Sequence, residues 1–197
     1  MQTVRQIERL WNARQYNRLF GDLIANRPES SFRLEIDAPT SAVAAAVGII
    51  RLDELNQAHV TLYSTLIRAV VASQEKDGGW GDAVVTTLCL RALMLGRNTA
   101  GQAIERGLAY LASLQKSDGS WPRIPLRRMT GDACVSAFVL YELGDDARFR
   151  AAVRMEDAAS WFEANQSSLD PDSHRLWERA QLKCHLPKAR HPELVWS

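Results

Sequence analysis

No run of about eighteen apolar residues occurs in this 197-residue sequence, which excludes an ordinary membrane-crossing helix. The opening stretch MQTVRQIERLWNARQ lacks the uninterrupted apolar segment of a secretion signal, so a soluble, cytoplasmic protein is expected. Cysteine is scarce: Cys89, Cys134 and Cys184 are odd in number and form no CxxC pair, which argues against a disulfide framework and against a zinc ribbon or finger. Neither sign of charge dominates. With 24 basic and 23 acidic residues the formal charge is +1, too little for a global field that would draw in nucleic acid or an anionic membrane. Glycine-rich phosphate loops, nucleophile elbows and Ser/His/Asp signatures are missing, and His59, His185 and His191 show no ligand spacing among themselves.

What is present is 46% hydrophobic residues, enough for one globular domain over 1–197. Val4, Ile7, Leu10, Trp11, Leu19, Phe20, Leu23 and Ile24 recur at helical spacing and predict an amphipathic helix from about 3 to 26, whose Arg5, Arg9, Arg14 and Arg18 read as an exposed face. A turn at 37–39 precedes an apolar helix near 41–51, capped by Thr40 or Ser41, and a further helix is expected from about 54 to 74. Residues 83–95 and 133–143 are apolar on nearly every side, each opened by Gly-Asp and each followed by a glycine suited to a left-handed helix end. Between them 101–115 keeps Ile104, Leu108, Tyr110 and Leu111 on one face and Gln102, Glu105 and Arg106 elsewhere. Alternating wet and dry helices imply an all-α fold in two layers.

The chain also repeats itself. Gln74, Asp77 and Trp80 return as Gln115, Asp118 and Trp121, each 41 positions on, and a worn third copy sets Trp161 under Tyr110 and Gln166 under Gln115. Units of this length stack on one another because none buries its apolar face alone. The physical reading of Gln, spacer, Asp-Gly, Trp is a corner clip. The glycine takes a positive φ, the Gln amide satisfies backbone groups at a neighbouring helix end, and the indole covers the turn.

RGLAYLASLQKSDGSW resembles the QW motif of the terpenoid cyclase and protein prenyltransferase superfamily, including squalene-hopene cyclase: basic-Gly-x-x-aromatic-Leu-x-x-x-Gln, a spacer, then Gly-x-Trp. The copy ending at Trp80 keeps only the Gln-to-Trp end. The likeness covers 64–144, weakens over 145–183 and is absent from the first sixty residues, so 1–60 reads as a helical part without repeat, 64–183 as repeats and 184–197 as an irregular tail anchored by Trp196. The resemblance implies a partial α/α toroid of about eight helices in two concentric layers around an apolar cavity, usually one that holds an isoprenoid.

Activity carries over less completely. Cyclases of this family protonate their substrate with Asp-x-Asp-Asp, which is missing here. Asp82 and Asp132 stand singly at helix starts as caps, and neither Asp145-Asp146 nor Asp170-x-Asp172 has the spacing. Protein prenyltransferase β subunits hold zinc with Asp-x-Cys and a His one repeat on, which matches Asp132, Cys134 and His174, while Arg123, Arg127 and Arg128 correspond to basic residues that meet a lipid diphosphate. Two functions are therefore expected: a non-cyclising binding or accessory protein for an isoprenoid-like ligand or a protein partner, or a zinc-dependent enzyme acting on an isoprenoid diphosphate. An incomplete ring exposes inner-helix sides, which predicts a homodimer.

Overall fold

Two aspartates show why the driest segments are helices. The computed structural model describes residues 38–58, 61–96, 100–125 and 129–184, and in it Asp82 and Asp132 each turn a carboxylate oxygen onto a first-turn amide, that of Val85 at 2.9 Å and that of Val135 at 3.0 Å. These caps open Ala83–Leu95 and Ala133–Leu143. Satisfying a first-turn N–H in this way stabilises a helix by about 1 kcal/mol.

Among the described residues the helices are, in chain order, α1 (Ala38–Glu54), α2 (Thr61–Ala72), α3 (Ala83–Leu95), α4 (Gly101–Leu114), α5 (Ala133–Leu143), α6 (Ala147–Ala152), α7 (Met155–Asn165) and α8 (Pro171–Cys184), with a 3₁₀ turn at Gln166–Ser168. The fold is all-α. Among the described residues the nearest approach to a strand is one isolated bridge between Pro122 and Gly131, and no helix is long and apolar enough to cross a membrane. The amphipathic segment expected over 3–26 and the tail beyond 184 lie outside the described residues.

Packing follows the distribution of apolar side chains. α1 lies against α2 and α3, α3 against α4 and α5, and α5 against α8, while α4 also meets α6. Helices α3 and α5 are buried on all sides, with Leu90, Leu93, Leu140 and Leu143 wholly enclosed. α4 buries Ile104, Leu108, Tyr110 and Leu111 and leaves Gln102, Glu105 and Arg106 exposed. Further along, Phe162 of α7 stacks on Trp177 of α8, with centroids 4.3 Å apart and planes 8° from parallel.

Several boundaries differ from the sequence expectation. α1 starts at Ala38, so Pro39 sits in its first turn, where a missing N–H costs no helical bond. It also runs on to Glu54. The expected helix over 54–74 is instead α2, beginning at Thr61 after a turn in which Asn56 takes φ 55°, a conformation asparagine tolerates. Asp146 caps an additional short helix, α6, by accepting from the N–H groups of Arg148 and Phe149.

The glycines after α3 and α5 are not left-handed ends. Gly96 has φ −71° and Gly144 φ −65°. Close approach accounts for Gly144, where a β-carbon would run into Cys184 Sγ and the Leu140 carbonyl, whereas one on Gly96 would stand 2.9 Å from Ile67 Cδ1, a side-chain end that can shift. Gly144 lets helices touch rather than letting the chain turn.

Candidate functional site

The repeated corner is the most completely specified arrangement in the structure. Gln74 Nε2 donates to the carbonyls of Gly78 at 2.8 Å and Ala103 at 2.9 Å; Gln115 Nε2 donates to those of Gly119 at 2.9 Å and Arg154 at 3.0 Å, and its Oε1 accepts from the Arg154 N–H at 2.9 Å. Asp77 and Asp118 accept from the N–H two residues on, at 2.9 and 3.0 Å. The Trp80 and Trp121 indoles donate to Val70 and Leu111 carbonyls, both at 2.8 Å, and their backbone N–H groups donate to Thr86 and Ser136 hydroxyls. Gly78 and Gly119 have φ of 95° and 88°, which glycine alone adopts without strain.

The first half of the motif closes the corner that precedes it. Arg106 donates to the Glu75 carbonyl at 2.7 Å, the Tyr110 hydroxyl to the Gly81 carbonyl at 2.5 Å, and a β-carbon on Gly107 would stand 2.9 Å from the Trp80 ring. Burial, followed by the charges of Asp77, Asp82 and Glu75, pushes the Tyr110 phenol up to about 12, so it is a donor throughout the physiological range. In the next unit one residue combines two of these tasks: Arg154 presents its peptide to Gln115 and its guanidinium to the Lys116 carbonyl. The four motif residues Gln74, Trp80, Gln115 and Trp121 thus join helices.

The residues matched to a zinc site stand at the N-terminal ends of α5 and α8. Asp132 is fully occupied: Oδ1 takes the Val135 N–H, and Oδ2 takes Arg123 through Nε at 2.9 Å and Nη2 at 2.8 Å. Cys134 is half-buried, and its thiol is pushed up to about 11 by burial first and then by the Asp132 and Asp170 carboxylates, with the Ser173 hydroxyl and Arg123 pulling the other way. A thiol so placed is protonated at neutral pH. His174 directs Nδ1 toward Glu178, 3.8 Å away and one turn along α8.

Among the described residues no group of three or more His, Cys, Asp or Glu side chains is placed where it could hold a metal ion. Of the residues matched to zinc, Asp132 carries a capping bond and a guanidinium on its carboxylate, and the His174 imidazole faces Glu178 on its own helix. Asp170 is likewise a cap: hydrogen bonds from the Ser173 hydroxyl and N–H hold its carboxyl below the ordinary range. Of the arginines matched to diphosphate binding, Arg123 is paired with Asp132, and Arg127 and Arg128 lie outside the described residues.

A cavity of about 860 Å³ opens elsewhere, where the C-terminal ends of α1 and α3 meet α2. Tyr63, Ile67, Val71 and Leu95 form much of its wall, with Asp53 and Arg68 also lining it. None of these residues was singled out from the sequence, since the space arises from how three helix ends diverge. α5 lines none of it, so it is not a space enclosed between the two driest helices.

Compared with protein-family models, characterised proteins and solved structures, the chain finds no match.

Proposed function

We propose that this protein is a helical-repeat binding protein of the terpenoid cyclase and prenyltransferase architecture, a partial toroid of two concentric layers without cyclising chemistry, which takes an isoprenoid-like apolar ligand. The observation that carries the proposal is the cavity at the α1, α2 and α3 ends. Its volume lies within the range of about 300–1,000 Å³ usual for small-molecule sites, and its wall is largely apolar. The acids that would have to do chemistry support binding over catalysis, because Asp82, Asp132, Asp146 and Asp170 are all engaged as helix caps.

Farnesol titrated into the full chain, read by native mass spectrometry, is expected to bind saturably. Ala72→Trp, which sets an indole in the wall of the cavity, is expected to weaken it by about tenfold or more. No saturable binding to the wild type, or undiminished binding by the variant, refutes the reading. Cys134-dependent release of pyrophosphate from farnesyl diphosphate would replace it with the enzymatic alternative. Self-association belongs to the same proposal: Leu182 on α8 is 65% exposed, and covering it is one role for a second copy. A single mass near 22.1 kDa by light scattering at micromolar concentration would exclude the dimer.

A further inference from the structure

One buried acid is left over by everything above. Glu142 lies in the last turn of α5, in a helix otherwise written in apolar and small residues, and is 5% exposed. Its Oε1 is enclosed with no protein group at hydrogen-bond distance. Its Oε2 stands 4.0 Å from Arg91 Nε on α3, beyond a hydrogen bond.

The surrounding charges pull in both directions. Lys183 of α8 directs its ammonium to the backbone carbonyls of Tyr141 at 2.7 Å and Glu142 at 3.3 Å, and lies 3.4 Å from the Asp145 carboxylate. The groups that act on Glu142 are thus two cations, Lys183 and Arg91, and two anions, Asp145 in the turn after α5 and Glu54 at the end of α1. Each cation acts more strongly than either anion, but the cost of taking the charge out of water is larger than any of them and sets the direction. Burial with one oxygen unpartnered favours the neutral acid over the carboxylate.

We propose that Glu142 is a proton-operated latch: the packed junction of α3, α5 and α8 holds it as the neutral acid, and loss of its proton to solvent drives that junction open. Burial, the largest influence, raises its carboxyl above the ordinary range. The sign follows from linkage. The folded chain keeps a proton that the unfolded chain has already released, so this contribution to stability is whole below the ordinary glutamate range and is lost as pH rises through the folded value. Opening lets Oε1 reach water or the carboxylate reach Arg91, and the last turn of α5 is the part that must move. The latch is independent of what occupies the cavity.

The test is urea unfolding of the full chain between about pH 5 and pH 9, for the wild type, Glu142→Gln and Arg91→Met. Relative to Glu142→Gln, the wild type is expected to lose stability with rising pH at up to the one-proton slope, about a tenfold change in the folding equilibrium constant per pH unit. The histidines are common to both proteins, so their titration drops out of the difference. Removing the Arg91 cation should carry the decline to higher pH. A wild-type minus Glu142→Gln difference that does not vary with pH overturns the proposal. So does a carbon-13 spectrum of glutamate-labelled wild type in which every carboxyl titrates in the ordinary range. Should the variants fail to fold, that spectrum alone decides.

Discussion

Gln74 and Gln115 occupy the same place in two copies of one corner, yet their removal should cost different amounts. Replacement by methionine keeps the length of the side chain and deletes the amide. At Gln115, which is 8% exposed, three hydrogen bonds of 2.9–3.0 Å disappear, and the Arg154 N–H is left without its acceptor. Taking about 1 kcal/mol for each bond and about 1 more for the stranded donor gives a loss of about 4 kcal/mol. At Gln74 two bonds disappear, both to carbonyls in a half-buried setting that water can reach, for about 2 kcal/mol. For a chain of this size each kcal/mol moves the melting temperature by about 2–4 °C, so Gln115→Met should melt about 12 °C below the wild type and Gln74→Met about 6 °C below. Differential scanning calorimetry, with urea unfolding read by tryptophan fluorescence, provides the comparison. Equal losses, or a larger loss at Gln74, would refute the view that the extra bond to the Arg154 peptide sets the stronger joint.

Gly144→Ala should destabilise by about 1–3 kcal/mol, despite an ordinary φ, because its methyl meets Cys184 Sγ and the Leu140 carbonyl. Gly101→Ala, whose β-carbon meets nothing within 4 Å in a helical position, should be neutral or stabilising by up to about 1 kcal/mol; thermal melts of the pair separate crowding from backbone freedom. Cys134 should react slowly with a disulfide reagent at pH 7–8 and accelerate only as pH approaches about 11, while purified protein carries no stoichiometric zinc in wild type or Cys134→Ala by elemental mass spectrometry. Fast labelling at neutral pH, or one zinc that vanishes in the variant, would return Cys134 to the role of a ligand.

The boundaries of α3 and α5 were legible because an aspartate cap and an unbroken apolar run say the same thing at two scales. The corner was legible for a related reason: a positive φ, an amide on peptide groups and a covering indole admit few other residues. The pairing of Arg123 with Asp132 was not legible, since nothing in a spacing of nine reveals that the Pro122–Gly131 bridge folds the segment back so that the two side chains meet. That contact joins one residue matched to the zinc set with one matched to the diphosphate set. α6 went unread because ARFRAA is too short to show a period, although Asp146 stood in front of it. Glu142 did carry a signal, a lone acid in a helix dry on every side. The cavity had none, because residues from three helix ends line it and no single stretch contains its pattern.

In each corner the glutamine reaches the next segment through main-chain atoms alone, the Ala103 carbonyl in one case and the Arg154 carbonyl and N–H in the other. A glutamine that reads peptide groups makes no demand on the side chain of the residue it holds, an alanine in one copy and an arginine in the other. Substitutions can therefore accumulate on one side of the joint without an answering change on the other. The grip of Gln115 on the third copy, through the Arg154 peptide, is thus independent of the glycine and tryptophan that this copy lacks.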